Sequence, residues 1–293
     1  MREIPRELYP FEDHFLDLDG LNYHYLDEGS GDVVVALHGN PTWSFYYRDL
    51  VRELRADHRV IVPDHMGCGL SDKPGDEAYD YTLSRRIQDF SQLMDILGLD
   101  DINLVVHDWG GMIGCAWAVR NPERVKRLVI LNTAAFHLPK SKSFPWQLWL
   151  VRDTPLGPLM VRGLNSFARG ASHLACTRKK LSKEVRDAYC APYDSWADRI
   201  ATLRFVQDIP LGPRDRGYEI VSDTAARLDS LSDRPVLVCW GDKDFVFDHH
   251  FLAEWQRVYP HADVHRFPDC GHYILEDASE EILPLIRQFL ATT

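Results

Sequence analysis

The most informative stretch of the sequence for the fold is Asn103-Leu-Val-Val-His-Asp-Trp-Gly-Gly-Met112. Its apolar first half predicts a β-strand buried on both faces, as in the interior of a parallel sheet. Gly110 and Gly111 end this pattern abruptly, and the apolar residues of 111–119 predict a helix. A strand that turns sharply into a helix presents the residue at the turn, Asp108, at the strand's carboxyl end, where open α/β sheets bind ligands.

The same alternation extends to both sides. Apolar runs predict strands over 33–37, 60–62, 128–131 and 236–240, and a strand-like stretch covers 263–267. Residues 15–18 and 23–26 predict an antiparallel pair, and residues 85–97 predict an amphipathic helix. We therefore expect an α/β fold with a doubly wound, mostly parallel sheet and right-handed crossovers.

The alternation fails over 136–228, where helix-period apolar residues occur without a convincing strand. We predict a core domain over 1–135 and 229–293 and an inserted helical cap over 136–228. The large apolar residues of the cap would line the roof of a cavity or pack the cap helices together: Phe144, Trp146, Trp149, Leu150, Phe167, Trp196 and Phe205.

Composition narrows the function. The 293 residues carry 33 basic and 44 acidic side chains, and the net charge of -11 argues against binding to nucleic acid or to anionic membrane surfaces. No stretch has the length of a signal-peptide core or a membrane span, so we expect a cytoplasmic protein. The six cysteines form no C-x-x-C pair and are expected to be free thiols.

Asp108 is the candidate nucleophile. A strand, a sharp turn and a helix form the setting of a nucleophile elbow, but the serine version has the pattern G-x-S-x-G, and here Asp108 takes the central position. A carboxylate with an ordinary pKa near ~3.9 is ionised at neutral pH and attacks an electrophilic carbon without help from a base. Hydrolysis of the resulting ester then requires a base.

Two later segments offer the partners of this nucleophile. His272 follows the strand-like stretch 263–267 and is the candidate base. Asp244 follows the strand over 236–240 and is the candidate acid that orients His272, with Asp242 as the fallback. Either aspartate could instead serve only to form the turn.

Asn40 and Trp109 are the candidate hydrogen-bond donors to an anion. Their backbone N–H groups would form an oxyanion hole, and their side-chain N–H groups would hold a departing anion. Trp109 could also be no more than a packing aromatic. The partner that this site predicts is a small, apolar, electrophilic substrate.

The chain resembles the haloalkane dehalogenase family in three segments, His38-Gly-Asn-Pro-Thr-Trp-Ser-Phe-Tyr-Tyr-Arg48, Pro63-Asp-His-Met-Gly-Cys-Gly-Leu-Ser-Asp-Lys-Pro74 and Val106-His-Asp-Trp-Gly-Gly111. The resemblance covers nearly the whole chain outside the cap. It implies an α/β-hydrolase fold with an eight-stranded, mostly parallel sheet and an inserted helical cap. It also implies that Asp108 displaces a halide ion from carbon, Asn40 and Trp109 hold the halide, His272 activates water and Asp244 supports His272.

The position of the acid resembles one branch of that family. Asp244 follows the strand that ends at Trp240, whereas Asn132, after the preceding strand, is no carboxylate. This arrangement is similar to the third dehalogenase subfamily, whose members tend to self-associate, which implies a homo-oligomer. That subfamily borders the β-lactone decarboxylases of long-chain olefin biosynthesis. We expect a dehalogenase, with the alternative that Asp108 attacks a cis-β-lactone and yields an alkene and carbon dioxide.

Other functions fit the sequence less well. An epoxide hydrolase would need cap tyrosines as donors, for which Tyr189 and Tyr193 are candidates, and a non-catalytic receptor would not need the triad. The pair His249-His250 beside Asp248 lacks a sensible metal-ligand spacing, so we expect no metal there. The acidic cluster of 276–281 is expected to be a charged turn before the last helix. No cofactor motif is present.

Overall fold

The computed structural model describes residues 4–291, which form one eight-stranded sheet in the order β1-β2-β4-β3-β5-β6-β7-β8. Its strands are β1 (His14–Leu18), β2 (Leu21–Gly29), β3 (Asp32–Leu37), β4 (His58–Pro63), β5 (Ile102–Asp108), β6 (Val125–Thr133), β7 (Val236–Gly241) and β8 (Asp263–Phe267). Strand β2 is antiparallel to both of its neighbours, and all other pairs are parallel. The predicted mostly parallel sheet and the antiparallel opening pair are confirmed.

Helices alternate with the strands at both ends of the chain. The α-helices are α1 (Arg48–Leu54), α2 (Leu83–Ile96), α3 (Trp109–Ala118), α4 (Trp146–Asp153), α5 (Leu156–Pro158), α6 (Ser166–Leu174), α7 (Lys183–Cys190), α8 (Ile200–Gln207), α9 (Tyr218–Arg227), α10 (His249–Val258), α11 (Ile274–Asp277) and α12 (Ser279–Ala291). Shorter turns are the 3-10 helices Ser44–Tyr47, Pro122–Arg124, Ala197–Arg199 and Leu228–Leu231 and the π-helix Leu159–Gly163. None of the helices within residues 4–291 is long and apolar enough to cross a membrane.

The interval between β6 and β7 differs from the rest of the chain. Residues 134–235, all of them described, contain no strand and hold helices α4 to α9. This agrees with the helical character expected for 136–228, while the division into core domain and cap at those boundaries stays a prediction.

The core lies on both faces of the sheet because side chains alternate along each strand. On β3, Val35 and Leu37 join one buried cluster, and Val34 and Ala36 join the other. The whole of β5 is buried, which agrees with the apolar run Leu104-Val-Val106 at its centre. Parallel pairing brings the carboxyl ends of β3, β5, β6 and β7 to one edge, where the predicted site residues follow.

Candidate active site

Asp108 occupies a strained turn between β5 and α3. Its φ of 51° and ψ of -127° lie in a region that non-glycine residues rarely adopt, and such strain concentrates at functional sites. Two glycines make room for the turn. A β-carbon at Gly39 would lie 1.9 Å from Asp108 Oδ1, and one at Gly110 would lie 2.0 Å from the carbonyl oxygen of Leu37. The sequence signal Gly110-Gly111 therefore reflects close backbone approach.

Two backbone amides converge on the Asp108 carboxylate, as predicted for the oxyanion hole. The N–H of Asn40 donates to Oδ1 at 2.6 Å, and the N–H of Trp109 is a second donor to the same carboxylate. Burial raises the pKa of Asp108 above its ordinary value, and His272 and the two amides offset part of this effect. Oδ1 thus accepts the N–H of Asn40, while Oδ2 lies on the side of the histidine.

His272 lies between the two aspartates. Its Nε2 is 3.6 Å from Asp108 Oδ2, and its Nδ1 is 2.7 Å from Asp244 Oδ2. Burial by itself would lower the pKa of His272, but the charge and hydrogen bond of Asp244, together with the charge of Asp108, raise it above its ordinary value. The bond to Asp244 fixes the ring so that Nε2 faces the nucleophile. The structure therefore brings the three predicted triad residues together.

Asp244 is itself held by a residue to which the sequence analysis assigned no role. The side-chain amide of Asn132 donates to Asp244 Oδ2 at 3.2 Å, and its oxygen accepts the N–H of Gly241 at 2.8 Å. The N–H of Val246 donates to Asp244 Oδ1 at 2.8 Å. The fallback, Asp242, instead forms an ion pair with Arg266 away from the histidine. A polar residue at the carboxyl end of a buried strand was the signal that could have identified Asn132.

His107 contacts the backbone of His272 and helps to hold it in position. Its Nε2 donates to the carbonyl oxygen of His272 at 2.8 Å, and the two ring centroids are 4.6 Å apart. Burial and the neighbouring His272 hold the pKa of His107 well below its ordinary value, so it stays neutral. On the other side, Asp277 Oδ2 accepts the N–H of Gly271 at 2.7 Å. Both contacts fix the backbone that carries His272.

The acidic cluster of 276–281 is only partly the charged turn that the sequence predicted. Glu280 and Glu281 lie in the first turn of α12, as that prediction requires, whereas Glu276 and Asp277 belong to α11 and are buried. Glu276 is instead paired with the buried Arg48, with 2.9 Å between Nη2 and Oε2. A buried charge requires such a partner, which comes from a distant part of the chain.

The side chains of Asn40 and Trp109 meet the cap. Nδ2 of Asn40 donates to the carbonyl oxygen of Thr202 in α8 at 3.0 Å, which leaves its second hydrogen for a ligand. The Trp109 ring lies 5.3 Å from that of Phe205, also in α8. Helix α8 therefore forms the roof above the two side chains that were predicted to hold an anion.

The roof contains fewer aromatic residues than the sequence suggested. Trp146, Trp149 and Trp196 are 68%, 52% and 48% exposed, so the expectation that they line an enclosed cavity is wrong. Trp146 and Trp149 lie on the solvent-facing side of α4, and Trp196 directly precedes the 3-10 helix Ala197–Arg199, which residue type alone does not reveal. Phe144 and Phe167 pack against a small buried cluster of the cap.

The tyrosines that an epoxide hydrolase would use are engaged elsewhere. The Tyr189 hydroxyl donates to Glu276 Oε1 at 2.5 Å, and the Tyr193 hydroxyl donates to the carbonyl oxygen of Thr42 at 3.2 Å. Both hydroxyls are thus committed to protein acceptors and not to a substrate oxygen.

A buried polar network lies beneath the oxyanion loop. Asp64 accepts from the ring of His24 at 2.8 Å and from the N–H of Ser44 at 2.6 Å, and Nε2 of His38 is 3.8 Å from the same carboxylate. Burial by itself would lower the pKa of His24, but the charges and hydrogen bonds of Asp64 and Asp13 outweigh this effect and raise the pKa to about 9. The network anchors the loop that carries Asn40.

Among residues 4–291, Asp248, His249 and His250 place ligand atoms within 4.8 Å of one another. Asp248 begins α10, where it accepts from the N–H of His250 at 3.0 Å and from Lys142 Nζ at 2.6 Å. The carboxylate therefore serves as a helix cap that is already paired with a cation.

Comparisons with known proteins agree with this geometry. The family model described as alpha/beta hydrolase fold matches residues 32–279. The chain is 58% identical to a cis-3-alkyl-4-alkyloxetan-2-one decarboxylase of Shewanella oneidensis, over 98% of this chain and 90% of that protein. It is 31% identical to haloalkane dehalogenase 2 of Mycobacterium bovis, over 96% and 95%. The structure of haloalkane dehalogenase DatA from Agrobacterium tumefaciens superimposes with a TM-score of 0.86 at 25% identity, covering 95% of this chain and 96% of that one.

Proposed function

The chain belongs to the alpha/beta hydrolase fold family, in the group of the haloalkane dehalogenases and cis-3-alkyl-4-alkyloxetan-2-one decarboxylases, and we propose that it decarboxylates cis-3,4-dialkyl-β-lactones. The observation that carries the proposal is the 58% identity to a decarboxylase over 98% of the chain, against 31% to a dehalogenase. From the sequence alone, dehalogenation was expected and lactone decarboxylation was the alternative. The predicted C-halide activity thus becomes the second candidate.

The first step is a displacement at carbon. Asp108 Oδ2 attacks C4 of the oxetan-2-one ring, and the C4–O1 bond breaks with inversion. The electron pair of that bond stays on O1, which becomes part of a substrate carboxylate. The second amide hydrogen of Asn40 and the indole N–H of Trp109 are the donors available to this new anion, as they would be to a halide ion.

The second step releases the products. The bond between C3 and the carboxylate carbon breaks, its electron pair forms the C3=C4 double bond, and carbon dioxide leaves. The bond from C4 to Asp108 breaks at the same time and returns the carboxylate to its original state. Inversion followed by loss of the two groups from opposite faces converts a cis-lactone into a cis-alkene. The two reaction steps together consume no water and transfer no proton.

In this scheme His272 does not need to activate water. Its charge, 3.6 Å from Asp108, favours the ionised nucleophile against the effect of burial. Asp244 keeps the ring in place. Water that reached the alkyl ester would convert it into a β-hydroxy acid, so the roof formed by α8 protects the decarboxylation by limiting access.

Dehalogenation is the second candidate, favoured by the donor pair of Asn40 and Trp109 beside Asp108. A halide and a carboxylate are both anions that leave when the same nucleophile attacks carbon. The two functions differ in the next step, because an alkyl ester without a neighbouring carboxylate cannot eliminate and must be hydrolysed by water activated by His272.

One experiment separates the candidates. The wild type, Asp108→Ala and the control Asp242→Ala are incubated in ¹⁸O-water with a cis-3,4-dialkyl-β-lactone or with a bromoalkane, and alkene, halide and alcohol are measured. We expect a cis-alkene from the wild type and the control, none from Asp108→Ala, and no ¹⁸O in the Asp108 carboxylate after lactone turnover. Rapid halide release without alkene formation would overturn the proposal in favour of dehalogenation.

A further inference from the structure

The outer surface of the cap is unusually apolar. Eight of the eleven large hydrophobic side chains that are exposed in the described structure belong to 136–228. Seven of them lie between α4 and the 3-10 turn after α7, and we call them the cap face: Trp146, Trp149, Leu156, Leu159, Leu164, Leu174 and Trp196. Single exposed apolar residues are ordinary, but a cluster of this kind marks an interaction surface.

The elements that carry the cap face contact one another: α4 contacts α5, α5 contacts the π-helix Leu159–Gly163, and this π-helix contacts α6 and the 3-10 helix Ala197–Arg199. Trp146 and Trp149 are one turn apart on α4 and share a side of that helix. A methyl group on Gly163 would lie 3.2 Å from Leu159 Cδ1 and 3.7 Å from a ring carbon of Trp196, so these two side chains flank the same glycine. The guanidinium of Arg162 lies 4.8 Å over the Trp196 ring, which places a cation within the apolar surface.

The charge of the chain is unevenly distributed. Residues 136–228 contain 15 basic and 9 acidic side chains, a net charge of +6, whereas the remaining residues carry -17. The net charge of -11, which argued against anionic surfaces, therefore conceals a basic cap. Among the ion pairs of residues 4–291, none includes five of the cap's cations: Lys140, Arg169, Lys179, Lys180 and Arg214. These cations are available to an external partner.

We propose that the cap face docks on an anionic lipid surface. Tryptophan prefers the boundary between headgroups and acyl chains, leucine side chains enter the apolar layer, and the basic residues of the same segment, with Arg162 beside Trp196, attract anionic headgroups. A second copy of the cap fits less well because two segments of net charge +6 would repel each other. If the proposed function holds, this placement also gives the hydrocarbon product an apolar phase to enter.

Vesicle binding tests the proposal without any turnover. The full chain is sedimented with vesicles of phosphatidylglycerol and phosphatidylcholine, and with vesicles of phosphatidylcholine alone. We expect binding to the anionic vesicles that weakens as salt is added. The double variant Trp149→Ser with Leu159→Ser should lose at least about tenfold in affinity, because two apolar side chains no longer leave water. The matched control, Phe15→Ser with Ile96→Ser, removes equally exposed apolar residues outside the cap and should bind as the wild type does.

Thermal unfolding of both double variants establishes that they are folded, and Arg169→Glu with Lys180→Glu tests the charge separately. Loss of anionic-vesicle binding in this charge-reversed variant supports the proposal. Failure of the wild type to bind, or equal binding by the wild type and the cap-face variant, overturns it. Concentration-dependent association in size-exclusion chromatography that the cap-face variant abolishes, without vesicle binding, also overturns it and identifies the surface as a contact between copies. Lactone turnover bears only on the proposed function.

Discussion

Asn132 and Asp244 are joined across the ends of two neighbouring strands, with 3.2 Å between Nδ2 of the amide and Oδ2 of the carboxylate. Asn132 lies near the carboxyl end of β6 and Asp244 lies just beyond the end of β7, so the parallel pairing of these strands creates the contact. A neutral side chain thereby fixes the acid that orients His272. The candidate triad therefore has a supporting fourth side chain, Asn132, which bonds to Asp244.

Asn132→Leu should lower kcat by about tenfold or more, because the loss of a buried hydrogen bond to a charged group costs roughly 1.5 to 3 kcal/mol. Asn103→Leu is the control: it removes a buried amide that donates to Val33 at 3.0 Å, at the opposite end of β5. Both variants should lower the denaturant midpoint, but only Asn132→Leu should lower kcat. Equal kcat values for the two variants would contradict the role of Asn132.

Gly39→Ala should reduce turnover by about a hundredfold or more. The added methyl group would push the Asp108 carboxylate out of its alignment with the substrate carbon, and small misplacements of a reacting group are costly. The added methyl group would lie 1.9 Å from Asp108 Oδ1, where the oxyanion hole now holds that atom. Gly75→Ala adds the same group where no atom lies within 4 Å and should leave the rate unchanged. Steady-state kinetics of both variants, with circular dichroism as the folding check, decides the matter.

The pH dependence of turnover should report Asp108. Its pKa is raised by burial, and only the ionised form attacks, so the rate should fall as the pH drops through a value above that of an ordinary aspartate. Removal of the positive partner in His272→Gln should raise that pKa further and shift the acidic limb to higher pH, with lactone turnover recovered above the shifted limb.

The same profile distinguishes the two chemistries. Ester hydrolysis requires a neutral His272, so dehalogenation should fall as the pH drops through the raised pKa of this histidine, whereas decarboxylation lacks that limb. A His272→Gln variant without lactone turnover at any pH would show that His272 takes part directly in the decarboxylation.

The stability of the fold should depend on His24. Its pKa of about 9 lies above the ordinary 6.5, so the stabilisation is fully present below about pH 6.5 and is lost as the pH rises through 9. The difference corresponds to about 3 kcal/mol in the free energy of unfolding. His24→Gln should abolish this dependence in urea titrations between the two pH values, and the exposed His261→Gln should retain it.

Tyr193→Phe should leave turnover within about threefold of the wild type, because its hydroxyl donates to the Thr42 carbonyl at 3.2 Å and not to a substrate. An epoxide substrate should be turned over by neither protein. A large loss of epoxide hydrolysis in Tyr193→Phe would instead establish the tyrosine as a catalytic donor.

The sequence was informative wherever local chemistry dictates local structure. The apolar run before Asp108 and the glycines after it require a buried strand and a close approach, and these positions match the structure. Asn40 and Trp109 could be selected as candidate donors for the same reason. Asn40 lies in the segment that begins directly after β3, and Trp109 directly follows Asp108. The exposure of Trp146 and Trp149 could not be predicted from the sequence, because an aromatic side chain is compatible with a core, a cavity wall or a docking surface.

The sheet and the elbow could be predicted from the sequence, and so could the candidates for nucleophile, base and acid, because strand periodicity and turn residues act over a few neighbouring positions. Only the tertiary structure decided which distant polar groups would pair: Asn132 with Asp244, Glu276 with Arg48, and Asp64 with His24. Each of these pairs is separated by 40 or more residues. A buried polar group must find a partner, but burial depends on how the whole chain packs, and so the partner is set by the fold.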